Sequence, residues 1–204
     1  MRWVTLSGAA FVILALLAIA LYGSGAGRQP AEIIAYYGNH GDRVRQIAGF
    51  YVLAIGVVFF AWFVVILQRT LDAPLVLAAG TLTATLLLAA DALWAATAIT
   101  VQHEHGYVLD PSTHLIVEDA GFAFFLAAML AAMAFVAAAS VAILRTHVLP
   151  TMFGLVGFPV AASLAAAWYY LPLFALLAWI LAVSLVLCIR NVSRRPPSAS
   201  NPRG

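Results

Sequence analysis

Asp91 is the one acid set deep in a long apolar run of this 204-residue chain, the stretch 74–101, and no Arg or His lies at comparable depth to neutralise it. A carboxylate at mid-membrane costs on the order of 2.5–3.5 kcal/mol on insertion scales, so it persists only where it faces protein or water. Two chemistries follow. Asp91 can serve as a site for a proton, a cation or a polar ligand, or it can make an interhelical hydrogen bond that fixes helix register. The expected partners are a backbone carbonyl or a hydroxyl such as Ser140 or Ser163. A second group gathers His103, His105 and His114 with Glu118 and Asp119, and Glu104 and Asp110 lie among them. Neutral imidazole and carboxylate are the ligands of zinc and similar metals, and such pairs also titrate near neutral pH. Histidines two apart with a third nine residues later match no defined zinc spacing. The metal therefore stays unassigned, and a solvated polar loop accounts for the same residues. Asp110 and Pro111 read as an N-cap and first helical residue, which puts His114 and Glu118 four apart on one helix face.

The elements that must position these residues are set by composition. The chain is 65% apolar and 9% charged, with a mean hydropathy of +1.02, against about 45–50% and about 25% in soluble domains. In hydrocarbon each segment must satisfy its own backbone hydrogen bonds, so apolar runs of about 20 residues read as helices. Six runs meet this: 3–22, 47–67, 74–101, 119–144, 150–168 and 172–190. The fold expected is an all-α polytopic transmembrane bundle over residues 1–193, followed by a disordered cytoplasmic tail, 194–204, rich in Pro and Ser. Pro74, Pro111, Pro150 and Pro172 suit first helical turns. Pro159, beside Gly154 and Gly157, predicts a kink in the fifth span.

Arginine placement sets the direction. Arg2, Arg69, Arg145, Arg190, Arg194, Arg195 and Arg203 fall on one side, and Arg28, Arg43 and Arg45 on the other. The positive-inside rule places both termini in the cytoplasm and the His/acid group outside. A cleavable leader would also begin this way, but the first run of about 20 residues exceeds the usual 7–15 of a signal peptide core. The first outer loop holds an amphipathic segment, 30–46. Its part 30–37 reads as a short helix burying Ile33, Ile34, Tyr36 and Tyr37 and ending at Gly38 and Asn39, with Asp42 opening the next helix. It should cap the outer mouth of the bundle.

On the third span, Gly80, Ala84, Leu87, Asp91, Ala95, Ala98 and Gln102 share one mostly small face, which lets a neighbouring backbone approach and turns Asp91 into the bundle. Ala127, Ala128, Ala131 and Ala132 give the fourth span a similar surface. The single cysteine, Cys188, excludes an intrachain disulfide or a thiolate cluster, and no basic stripe suggests nucleic acid.

Three stretches, 31–37, 118–122 and 144–150 with Gly154, together resemble a widespread uncharacterised family of small six-helix bacterial integral membrane proteins. The resemblance implies architecture and residence in the bacterial cytoplasmic membrane, and it carries no catalytic residue across. His147, where such proteins often have Gly, and Asp91 are particular to this chain. The leading functional expectation is a structural or partner-binding bundle with no cofactor, in contact with lipid and with a membrane partner or a second copy. A solute or proton-coupled carrier using Asp91 is the first alternative. A metal-dependent membrane hydrolase using the outer His/acid group is the second.

Overall fold

The computed structural model describes residues 6–23, 25–104 and 106–193. The beginning of the first span, Arg2, His105 and the tail 194–204 lie outside the described residues. Seven α-helices carry the rest: α1 (Ser7–Tyr22), α2 (Pro30–Gly38), α3 (His40–Leu71), α4 (Pro74–His103), α5 (Pro111–Thr146), α6 (Thr151–Ser163) and α7 (Leu171–Ser193), with a 3-10 segment Leu164–Tyr169 between the last two. No strand occurs among the described residues. By length and composition α3, α4, α5, the run Thr151–Trp168 and the run Leu171–Arg190 can each cross a membrane, and α1 is a shorter apolar helix.

The starts and stops follow local chemistry. Pro74 and Pro111 open α4 and α5, where a missing N–H is no loss. Asp110 accepts from the Ser112 and Thr113 backbone N–H groups and the Thr113 hydroxyl, which holds its carboxyl below the usual carboxylate range. Asn39 both ends α2 and caps α3, its side chain accepting from Gly41 N at 2.9 Å. The helix after α2 thus begins at His40, ahead of the expected Asp42, and residues 40–46 belong to α3 instead of extending the amphipathic segment. At the other ends Asp72, His147 and Tyr170 take left-handed conformations, with φ of 50°, 51° and 57°.

The helices α3 and α5 begin seven and eight residues before the apolar runs at 47 and 119 do, α5 at the Pro111 start expected of it. Hydropathy measures the lipid-compatible part of a helix, whereas the helix itself ends where its backbone is capped. The α-helical pattern also runs through Pro159 to Ser163 and gives way in the 3-10 segment, where Ala166 leaves helical geometry at φ −100° and ψ 26°.

Each helix that can reach across the bundle packs on its neighbours in chain order, α1 on α3, α3 on α4, α4 on α5, α5 on α6 and α6 on α7, and α7 returns to α1 to close a ring. The short α2 lies against α3, α4 and α5 at one end. Phe60, Phe63, Phe135 and Trp179 meet inside the ring in edge-on and tilted pairs. Gly80 makes this closeness feasible: a Cβ there would sit 2.5 Å from Val64 Cγ1. Large apolar side chains also point outward, among them Ile13, Tyr51, Ile55, Trp62, Leu82 and Leu155, as expected of helices whose surroundings are as apolar as their core.

Candidate functional site

At the α2 end the helices differ in reach. α1 stops at Tyr22, while α4 continues twelve residues beyond Asp91, roughly 18 Å at 1.5 Å per residue. α3 and α5 overhang in the same way, and α2 roofs the space above the end of α1. The roof is anchored by Ile33 and Tyr37, both buried against Ala98. Tyr36 is only partly covered and Ile34 is 53% exposed, so the expected burial of four side chains holds for two. The cause is that α2 presents one narrow face, and Ile34 lies off it.

Beneath this roof lies a cavity of about 420 Å³, a size typical of small-molecule sites. Its lower walls are apolar, formed by Ala15, Ala18, Leu53, Leu87 and Leu173. Its upper walls carry Gln46, His114 and Glu118 together with Tyr22, Tyr36 and Tyr37. From Gln46 to Leu53, and from Trp94 to Leu87, the walls run seven residues deep, about 10 Å of helix.

The polar groups are tied down on one side and unpartnered on the other. Gln46 donates from Nε2 to the Trp94 carbonyl at 2.7 Å, joining α3 to α4, and its buried Oε1 has no hydrogen-bond partner. His114 has Nδ1 3.0 Å from the Thr97 hydroxyl, and its ring stands edge-on to Tyr37 at 4.9 Å. Its Nε2 is 3.6 Å from Glu118 Oε2, too far for a hydrogen bond, and both atoms are buried without one. The tautomer with hydrogen on Nε2 faces the carboxylate and leaves Nδ1 to accept from Thr97. Burial pushes the Tyr37 hydroxyl up to about 12, so it is a neutral donor at physiological pH.

Asp91 is fully buried on α4, on the small-residue face expected of it. Its partner is the Tyr22 hydroxyl, which donates to Oδ1, and Oδ2 is buried without a hydrogen bond. The serines expected there are occupied within their own helices: Ser140 donates to the Val136 carbonyl and Ser163 to that of Val160, both at 2.7 Å. A helical hydroxyl reaches the preceding turn more readily than it reaches across a bundle. Tyr22 closes the predicted first span, and no signal within one helix reports its contact with an acid 69 positions away. Since its ring lines the cavity, Tyr22 links that space to Asp91.

The His/acid group divides. His114 and Glu118 face the cavity as a pair, one turn apart on α5. Asp119 turns away and binds Arg28 at 3.2 Å. His103 is exposed at the end of α4, with Nδ1 2.9 Å from the Ile99 carbonyl. Among the described residues no three His, Cys, Asp or Glu side chains converge as a metal site would require. Gln46 and the tyrosines are the functional candidates that sequence reasoning missed, because the α3–α4 and α1–α3 packing and the docking of α2 together bring them to one place. Searches of family models, curated proteins and solved structures find no match to this chain.

Proposed function

We propose that this chain is a six-span membrane protein, α1 and α3 to α7 crossing with both termini cytosolic, that binds a small amphipathic molecule in the cavity under α2. The observation that carries the reading is the cavity itself. It has an apolar lower half and, in its upper half, the buried and unpartnered Gln46 Oε1, His114 Nε2 and Glu118 Oε2. A buried polar atom left without a partner costs about 1–3 kcal/mol, and a ligand bearing hydrogen-bonding groups would recover it. The arginine distribution supports the direction, with α2 and the cavity mouth on the exterior side.

A carrier is the second reading, and Tyr22 favours it. Its ring belongs to the cavity wall and its hydroxyl to Asp91, so the binding space and the intramembrane acid share one residue.

The reading is tested on protein purified into lipid nanodiscs. Native mass spectrometry should detect a retained small-molecule adduct, or a binding event on adding cell extract. Ala18→Phe, which fills the lower half, and Ala26→Trp, at the mouth, should each remove it while helicity and monodispersity stay unchanged. An adduct that survives both variants would falsify the cavity as its site.

A further inference from the structure

We infer that the occupant of this cavity is an organic cation, a protonated amine carried on an apolar body; the inference rests on the ligand-binding reading of the same space. Three independent features of the walls point to it. The first is hydrogen-bond sense. Gln46 Oε1 and Glu118 Oε2 are both buried acceptors without a donor, and of the donors in the lining His114 Nε2 faces Glu118 while the Tyr37 hydroxyl interacts with the Gln46 side chain. The walls therefore present a carboxylate oxygen that an N–H group can pair with.

The second is charge. Among the described residues of the lining Glu118 is the only Asp, Glu or Arg. Arg28 is held by Asp119. Arg45 stands beside Gly23 at the mouth, with the Asp42 carboxylate 3.6 Å away as its counter-charge. Arg43 donates to Gln102 and to the Tyr37 carbonyl.

The third is the aromatic surface. On one side Tyr36 stands edge-on to Tyr37 at 5.1 Å, and Tyr37 leads to His114. On the other, Trp94 meets Phe125 at 5.7 Å, and Phe125 meets Tyr170 at 5.4 Å. Ring faces of this kind attract a desolvated cation, and Glu118 at the rim supplies the counter-charge. The apolar lower half receives the body of the molecule.

The test uses three probes of one shape: 4-phenylbutylammonium, the neutral alcohol 4-phenylbutanol and the anion 5-phenylpentanoate. Binding to nanodisc-held protein is measured by equilibrium dialysis against empty nanodiscs. The ammonium should bind saturably and at least about tenfold more tightly than the alcohol, and the anion should not bind above the blank. Glu118→Gln should weaken the ammonium about tenfold and leave the alcohol unchanged. Tyr36→Leu should weaken the ammonium selectively, and Tyr51→Leu, on the outward face of α3, should do nothing. Equal affinity for ammonium and alcohol, or indifference of the ammonium to Glu118→Gln, overturns the inference. If both then lose binding in Ala18→Phe, the cavity reading survives that failure. No binding of any probe also overturns the cation, and the adduct experiment judges the cavity separately.

Discussion

Tyr22 and Asp91 form a contact whose energetics can be isolated. Tyr22→Phe leaves a fully buried carboxyl without its donor and should destabilise the protein by about 1–3 kcal/mol. Removing both partners, with Tyr22→Phe and Asp91→Leu together, should recover much of that loss, because neither polar group is then stranded. Unfolding in mixed detergent micelles measures all three variants, and additive losses would show that the pair is uncoupled. Asp110 gives a separate prediction in acid. Its hydrogen bonds depress its carboxyl in the folded state, so its stabilising effect is present above the unfolded value of about 3.9 and fades as pH falls through the lower folded value. Hydrogen-exchange protection at the Ser112 and Thr113 amides should therefore fall in strong acid, and Asp110→Asn should remove that acid step.

Among the elements, the turn from α5 to α6 holds the plainest strain. His147 is exposed and left-handed at φ 51°, a conformation that costs a residue with a side chain about 1–2 kcal/mol relative to Gly. His147→Gly should therefore stabilise the protein by about 1 kcal/mol in the same micelle assay, and a loss of stability would show that the imidazole has a role there. Helix order was plain from sequence, because apolar length and prolines are local signals. Helix ends were legible only where a cap was recognised, as at Asp110. The true start of α3 lies in a polar turn that hydropathy discounts. Half of the site was visible: His114 and Glu118 share a face by spacing, whereas Gln46 joins them through the packing of α3 on α4 and Tyr37 through the docking of α2. Tyr22 was hidden for a related reason. Its partner is 69 positions away, and no periodicity within one helix reports such a contact.

For the molecule as a whole, orientation decides what reaches the cavity. Single cysteines at Gly106 and Ser112 in a Cys188→Ala background should react with an impermeant maleimide added to intact cells. A cysteine at Asp72 should react only after permeabilisation, and the reverse pattern would invert the topology. The order of the ring has a further consequence for how the protein is made. Around the ring of long helices, every seam but one joins helices consecutive in the chain once the short α2 is set aside, and those seams can form as the chain emerges during synthesis. The exception brings the first helix against the last, and it contributes Ala15, Ala18 and Ile19 from one side and Leu173 and Phe174 from the other to the cavity wall. A nascent chain therefore has no finished pocket until its last helix leaves the ribosome, and under the proposed function a chain cut short before α7 should retain no adduct in the mass-spectrometry assay.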